Sequence, residues 1–337
     1  MNTADFAAFE AAIRGADHEV DLFSAAMIIG RLGGHEVDPH RAARTLDLIA
    51  ENVLAEAGES PSRDALAHAI DHQLFTVEGF HGSFDDYDNP ENSYLDRVIE
   101  RRRGIPITLS LVYLEIAQRV GLPADGVGFP GHFIVRYGEP GAYTYLDPFQ
   151  QGVRLDEEEL LAMLRGLDLG GARPETFLAA VTRRQILQRM LNNLHVAFRN
   201  RRDIQRWHDT IELQLRLAPW NVSLIGERGM LRYRLGRLEE ALSDLETYVT
   251  ASETGAVVTC AKGLRVLPDC TFDDAPAADV VIIPGGIGTR REGDNPAMLA
   301  AIERLRRGAV VTASVCTGAL VLERAGLLDG RRAVTHR

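Results

Sequence analysis

The feature that most constrains the fold of this 337-residue chain is a change of hydrophobic pattern between residues 251 and 255. Before it, apolar residues recur mostly at helical spacing, and short strand-like runs occur at 132–137 and 143–147. After it, β-branched runs alternate with turn residues and with a helical stretch at 296–307, a pattern typical of parallel α/β structure. The sequence therefore predicts a helix-rich α+β part followed by an α/β tail.

Within this division the sequence predicts three regions: a helical and α+β region at 1–154, a helical region at 155–252 and the tail at 253–337. The middle region contains a degenerate repeat, because Trp207 and Ala241 occupy equivalent places in two successive helix pairs and stand 34 residues apart. That period is typical of tetratricopeptide repeats. Two units are fewer than an independent array needs, so we expect them to pack against the preceding region.

Composition excludes several classes of protein. With 37 basic and 48 acidic residues the net charge is −11, which argues against a general attraction to nucleic acid or to anionic membranes. No apolar run approaches membrane-spanning length and no signal peptide is visible, so we expect a cytoplasmic protein without a membrane partner. The three cysteines all follow residue 259, and their odd number argues against a disulfide framework. We expect neither a metal nor a cofactor.

One histidine lies at the start of a strand-like run, in the stretch GFPGHFIVR at 128–136. If Arg136 faces Tyr143 across a hairpin with the five-residue loop GEPGA, His132 faces Asp147. A histidine held by a carboxylate has a fixed tautomer and raised basicity, as in the orienting half of a nucleophile–histidine–aspartate triad. The structural alternative is a core histidine that a backbone carbonyl satisfies.

Three separated motifs resemble those of a known family: NSYLDRVIERRRGIPITLSLVYLEIAQRVGLP, then FPGHFIVRY, then LDPF. Together they resemble the SirB-type transglutaminase-like domain with its tetratricopeptide helices, over about residues 5–250. The resemblance implies that His132 and Asp147 correspond to the histidine and aspartate of that superfamily, whereas Pro106 stands in place of the nucleophilic cysteine. Proline cannot attack a carbonyl, and the hydroxyls of Thr108 and Ser110 would have to be reaimed by half a turn or more. The resemblance therefore favours a non-catalytic module that binds a protein partner through its helices.

Cys316 lies in ASVCTGALVL, at a strand-to-helix junction. Such an elbow exposes the side chain, and the N-terminus of the following helix favours the thiolate, which lowers the thiol pKa. The alternative is a cysteine that serves as a small buried apolar residue.

The tail also resembles a family, through GLRVLPDCTFDDAP, DVVIIPGGIGTR and SVCTGALVLERAGLLDGRRAVTH. These stretches are similar to the ThiJ/PfpI family of the class I glutamine-amidotransferase-like fold, over about 255–337, and they imply a flavodoxin-like sheet. The resemblance implies that Cys316 is a nucleophile and that Gly285, Gly286 and Thr317 form the oxyanion pocket. His336 is a conceivable partner of the thiol.

The tail departs from that family, because the segment before Gly255 does not supply the family's first strand with its acidic residue. We therefore expect an incomplete α/β segment, joined as if two partial genes had been fused, whose exposed edges could mediate oligomerisation. Three functions stay open: a non-catalytic interaction protein, which is favoured, a cysteine-dependent hydratase or hydrolase acting through Cys316, and a ligand-sensing fragment of a transcription regulator.

Overall fold

The computed structural model describes residues 1–168, 170–246, 251–259 and 265–330. It divides into two units, Met1–Pro219 and Trp220–Arg337. The division falls between the two predicted helix pairs, so the first pair belongs to the first unit. Of the residues named above, His336 lies outside the described ranges.

The first unit combines helices with a small sheet. Its helices are α1 (Thr3–Ala12), α2 (Leu22–Gly30), α3 (Pro39–Ala57), α4 (Arg63–Asp71), α5 (Leu95–Arg101), α6 (Pro106–Val120), α7 (Glu157–Arg165), α8 (Arg183–Arg201) and α9 (Ile204–Leu217). Its strands are β1 (His81–Gly82), β2 (Arg103–Gly104), β3 (Ala124–Val127), β4 (Ile134–Glu139), β5 (Ala142–Asp147) and β6 (Val153–Leu155). The unit is thus helix-rich α+β, as the sequence predicts.

Helix α6 forms where local signals specify it. Pro106 occupies the first turn, where its fixed φ suits a helix and its missing N–H costs nothing. The Thr108 hydroxyl accepts a hydrogen bond from the Ile105 N–H at 3.1 Å, which satisfies one donor at the helix start. The helix ends at Gly121, whose φ of +76° belongs to the left-handed region that glycine tolerates best. The predicted start and stop of this helix are confirmed.

The strands β3 to β6 form an antiparallel meander in the order β3-β4-β5-β6. The predicted hairpin register is wrong by two residues, because Arg136 pairs with Tyr145 and not with Tyr143. The predicted five-residue loop is also wrong: Glu139 pairs with Ala142, so the turn contains only two residues, and Gly141 takes a φ of +87°. A shift of two residues keeps every side chain on its predicted face, since side chains alternate with a period of two.

The sheet separates two apolar clusters. Val135 and Leu146 contribute to the main core, which the helices of the first unit build together. Ile134 and Tyr145 point to the opposite face, where they pack with residues of α7 such as Leu160. Helix α8 adds several buried residues to the main core, so the first helix pair is a structural part of this unit.

The second unit begins with the helix pair α10 (Val222–Arg234) and α11 (Leu238–Glu246), which repeats the arrangement of α8 and α9. The tail continues with β7 (Ala251–Ser252), β8 (Val258–Thr259), β9 (Arg265–Val266), β10 (Cys270–Thr271), β11 (Val280–Ile283), α12 (Thr289–Glu292), α13 (Pro296–Arg306), β12 (Val311–Ser314) and α14 (Ala319–Arg324).

Strand pairing in the tail is parallel between β11 and β12 and between β7 and β10, but antiparallel between β8 and β9. Within the described residues these are separate two-stranded pairs, so the flavodoxin-like arrangement expected for this incomplete segment is not confirmed. A small core around Val281, Ile302 and Val321 holds α13 and α14 against the β11–β12 pair. No helix of the described residues has both the length and the apolar character that crossing a bilayer requires.

Candidate functional site

The structure brings His132 and Asp147 together: the imidazole Nε2 lies 2.7 Å from the carboxylate Oδ2. Asp147 is the last residue of β5, and His132 precedes the start of β4 by two residues. The contact forms despite the corrected register, because a shift by two residues leaves the faces of the strands unchanged.

The carboxylate of Asp147 is 1% exposed and receives three donors. Besides His132, the Phe149 N–H donates to Oδ1 at 2.9 Å, and the Gln150 side-chain amide donates to Oδ2 at 2.9 Å. The Asp-Pro sequence places Asp147 at the start of a 3₁₀ turn, where a short acidic side chain readily accepts from the N–H two residues on. A buried carboxylate with this many donors is held rigidly in one orientation.

The outer side of His132 faces an aromatic rim. The imidazole is 27% exposed and stands edge-on to the Phe149 ring, with the ring centres 5.9 Å apart. Phe84 and Tyr87 contact the same Phe149 ring and are 68% and 46% exposed. When the neutral imidazole donates its Nε2–H to Asp147, Nδ1 is left as a hydrogen-bond acceptor.

No nucleophile is positioned at the start of α6 beside this pair. Pro106 is buried in the first turn of the helix. The Thr108 hydroxyl donates to the Asn92 carbonyl at 2.7 Å, and the Ser110 hydroxyl donates to the Phe133 carbonyl at 3.3 Å. Both hydroxyls are fully buried, so neither is presented to a substrate.

Arg189 of α8 holds the turn that carries His132. Its Nη2 donates to the carbonyl oxygens of Phe129, at 3.0 Å, and of His132. Its guanidinium also lies over the Phe133 ring, 5.5 Å from the ring centre. Burial lowers the pKa of this guanidinium from its usual value, and only the Tyr87 phenol opposes that shift.

A second polar cluster lies in the first unit, where Asp71 of α4 approaches Arg154 of β6 with an O···N distance of 2.6 Å. Burial raises the pKa of Asp71 to about 6, although the Arg154 guanidinium acts in the opposite direction. Burial also raises the pKa of Tyr113, whose fully buried phenol faces Asp71. This cluster is packed inside the first unit, and protonation of Asp71 therefore affects the stability of that unit.

A separate cleft of about 740 Å³ lies between α2, α6 and the start of α8, and Phe23, Glu115 and Arg183 are among its lining residues. Neither His132 nor Asp147 lines it, so the cleft and the His132–Asp147 pair are distinct. Within the described part of the chain, no three histidine, cysteine or acidic side chains gather as metal ligands would.

In the tail, Cys316 lies two positions after the end of β12 and has an exposed side chain. Its φ is +50°, a left-handed conformation that is costly for a residue with a Cβ and that is found at strained elbows. The helix that follows is short: a 3₁₀ turn at Cys316–Gly318 leads into the six residues of α14. A helix of this length contributes only a weak dipole.

Gly285, Gly286 and Thr317 lie beside Cys316. A Cβ added to Gly285 would stand 2.9 Å from the Cys316 Cβ, so only glycine permits this approach. The Gly286 N–H donates to the Thr317 hydroxyl at 2.8 Å, and therefore does not point to an open oxyanion position. The predicted groups are neighbours, but one predicted oxyanion donor is engaged internally.

Sequence reasoning missed Gln150, Phe149 and Arg189 near the His132–Asp147 pair. A local signal existed for the first two, because DPFQ is a turn sequence in which the aspartate caps the following N–H. Arg189 had no such signal, since it reaches the pair from a helix 57 residues further along the chain.

Comparisons with known proteins identify three families along the chain. Residues 40–192 match the family model of the transglutaminase-like superfamily, residues 194–264 match the tetratricopeptide repeat, and residues 231–337 match the DJ-1/PfpI family. The last match begins earlier than the sequence motifs suggest and overlaps the repeat. Three families in this order are consistent with a fusion.

Three relatives match different fractions of the chain. A UPF0162 protein of Xylella fastidiosa (strain Temecula1) is 34% identical over 238 residues, which cover 69% of this chain and 84% of the relative. F-box only protein 21 of Homo sapiens is 33% identical over 180 residues, 50% of this chain and 28% of the relative. Isonitrile hydratase of Pseudomonas putida is 44% identical over 79 residues, 23% of this chain and 35% of the relative. The coverage and identity of the first relative show that the chain belongs to the UPF0162 family, with a DJ-1/PfpI segment following its transglutaminase-like and tetratricopeptide parts.

Proposed function

We propose that the first unit is a non-catalytic binding module of SirB type, in which a transglutaminase-like His–Asp pair serves recognition instead of covalent catalysis. The observation that carries the proposal is Pro106, buried at the helix start where the resemblance places the nucleophile. A histidine and a buried carboxylate can orient a group and accept a hydrogen bond. Without a thiol or an accessible hydroxyl they form no acyl intermediate.

The helix pairs support a role in protein interaction. The tetratricopeptide match begins within α8 and includes α9, α10 and α11, and helix pairs of this kind often bind other proteins. The exposed rim of Phe84 and Tyr87 beside His132 adds apolar contact area next to polar groups, a combination common in recognition sites.

The direct test is an assay for amide chemistry. The full chain is incubated with a glutamine-containing peptide and a fluorescent primary amine, and both ammonia release and amine incorporation are followed. We expect neither in the unmodified protein. Hydrolysis or transfer that disappears in His132→Ala would overturn the proposal.

A variant that introduces a thiol tests whether Pro106 stands at the position of the nucleophile. Pro106→Cys places the first thiol of the chain before residue 260. If His132 and the start of α6 retain catalytic geometry, alkylation of Cys at position 106 by iodoacetamide, read by mass spectrometry of that peptide, should be faster than in Pro106→Cys with His132→Ala. Equal rates in the two variants would mean that Pro106 does not occupy the nucleophile position.

A second function is favoured by one observation on the tail: Cys316 is exposed and left-handed, next to a glycine that admits close approach. We propose hydration by a cysteine nucleophile, with an isonitrile as the first substrate to test because of the resemblance to isonitrile hydratase. Turnover of cyclohexyl isocyanide that is lost in Cys316→Ser would support it. Absence of turnover, together with ordinary alkylation kinetics of Cys316 between pH 6 and 10, would remove it.

A further inference from the structure

Arg189 carries a charge that the described structure does not neutralise. Its hydrogen bonds run from Nη2 alone, to the carbonyl oxygens of Phe129 and His132. Across the described ranges, no carboxylate forms an ion pair with it, although burial has already lowered the pKa of the guanidinium. A desolvated charge is expensive unless a counter-charge accompanies it. A counter-ion from outside the chain would remove that expense.

The geometry of a guanidinium indicates which counter-ion fits. Its five N–H donors form a planar fork that matches a carboxylate with two parallel hydrogen bonds. Because the described hydrogen bonds of Arg189 use only Nη2, the donors on Nη1 and Nε remain for such a ligand. The Phe133 ring covers one face of the guanidinium and leaves the edge of the fork uncovered by this contact.

The surroundings favour an anion although the nearby loop is acidic. Burial raises the pKa of the Tyr87 phenol, and among the charges that act on this group Arg189 outweighs Asp88. Asp85, on the same loop, is 97% exposed, so water and salt screen it strongly. Of the two charges that act on the Tyr87 phenol, the Arg189 guanidinium therefore has the larger effect.

The same residues connect Arg189 to the His132–Asp147 pair. Tyr87 contacts the Phe149 ring with ring centres 6.1 Å apart, and Phe149 contacts the His132 imidazole. Arg189 itself holds the backbone carbonyl of His132. A cation, aromatic side chains and a hydrogen-bond acceptor are thus linked through successive contacts of neighbouring residues.

We propose that this surface is a subsite for an N-acylated amino acid. The carboxylate lies on the fork of Arg189, the amide N–H donates to His132 Nδ1, and the acyl group rests on the rim of Tyr87 and Phe84. This inference rests on the proposed binding role of the His132–Asp147 pair and supplies its ligand class.

Hippurate, which is N-benzoylglycine, contains all three groups, and N-benzoylglycinamide is the same molecule without the charge. Each is titrated into the ¹⁵N-labelled full chain while the ring nitrogen signals of His132 and the side-chain N–H signal of Arg189 are followed. We expect saturable shifts of both residues with hippurate and binding weaker by about tenfold or more with the amide, because charge-assisted hydrogen bonds are the stronger kind. Equal affinities for the two probes, or no shift of His132 with hippurate, would overturn the proposal.

The chain supplies a matched control variant. Arg184 lies on the same helix and also donates from one Nη2 to two carbonyl oxygens, those of Ile13 and Gly15, far along the sequence from the His132 turn. We expect Arg189→Gln to weaken hippurate about tenfold, whereas Arg184→Gln leaves it unchanged; the same loss in both variants would refute the subsite. If Arg189→Gln disturbs the turn, the low-field proton signal between His132 and Asp147 is lost. In that case Arg189→Lys provides the test of the subsite. It keeps the charge without the fork, so hippurate should still bind more tightly than its amide, and no preference for hippurate in this variant would refute the subsite.

These outcomes separate the subsite from the proposed function. Amide chemistry that depends on His132 would overturn the non-catalytic role whether or not hippurate binds. Failure of hippurate to bind, in a protein without amide chemistry, would overturn only the ligand class.

Discussion

Asp147→Ala removes the carboxylate on which three donors converge, and the structure gives the size of the effect. Each of the donors from His132, Phe149 and Gln150 loses its acceptor, in a place where Asp147 was 1% exposed. A buried donor left unsatisfied costs about 1–3 kcal/mol, but His132 and Gln150 can turn towards water. The Phe149 backbone N–H cannot turn away, and His132 and Gln150 each lose a hydrogen bond, so we expect a loss of about 2–4 kcal/mol in the free energy of unfolding of the first unit.

Asp147→Asn removes the negative charge of the side chain but keeps its size and shape. The amide oxygen still accepts from the Phe149 N–H, whereas the amide nitrogen replaces Oδ2 and cannot accept the hydrogen bonds that His132 and Gln150 donate there. The imidazole must then change its tautomer, and we expect a loss of only about 1–2 kcal/mol. Stability in the order wild type, Asn variant, Ala variant is the expected result.

The assay uses the two tryptophans, one in each unit. In a Trp220→Phe background, Trp207 reports on the first unit alone, where its indole N–H donates to His195 Nε2 at 3.2 Å. Urea unfolding followed by Trp207 fluorescence gives the midpoint, and far-ultraviolet circular dichroism shows whether the folded baseline is intact. An Ala variant within about 1 kcal/mol of wild type would refute the reasoning, because three hydrogen bonds are lost and the Phe149 backbone N–H cannot turn towards water.

Three further predictions concern other positions. Burial raises the pKa of Asp71 to about 6 from the usual 3.8, so between these pH values the folded state retains a proton that the unfolded state has lost. Stability should therefore fall as the pH rises from about 3.8 to about 6, and Asp71→Asn should flatten this part of the profile of urea midpoint against pH. Gly285→Ala would place a Cβ 2.5 Å from the Val315 carbonyl oxygen, so we expect a lower urea midpoint of the second unit, read by its own tryptophan, without a change in the first. Thr317→Val removes the acceptor of the Gly286 N–H, held at 2.8 Å, and should cost about 1 kcal/mol by the same readout, whereas Thr317→Ser should restore wild-type stability.

Local signals in the sequence determined much of the first unit. Pro106 and Gly121 fixed both ends of α6, because one presets φ for a first turn and the other accepts a left-handed φ. The separation of Trp207 and Ala241 revealed the repeated helix pairs, since that period is written along the chain itself. The pairing of His132 with Asp147 was predictable for a similar reason: strand alternation assigns faces even when the register is shifted by two residues.

The hairpin register and the strand pairing of the tail could not be predicted from the sequence. The turn at Pro140 and Gly141 decided the register, and a two-residue connection is compatible with the same apolar pattern as a longer one. In the tail, the apolar strand runs suggested one parallel sheet, but such runs do not specify their partners, and the described strands form separate pairs.

At the candidate site, some features follow from the sequence and others only from the tertiary structure. The sequence by itself determined that Pro106 cannot act as a nucleophile and that His132 shares a face with Asp147, because each conclusion needs only covalent chemistry or the two-residue period of a strand. Only the tertiary structure decided that Arg189 reaches the His132 turn and that the Thr108 hydroxyl is engaged. Those contacts depend on the packing of a distant helix and on burial, which no local pattern of residues encodes.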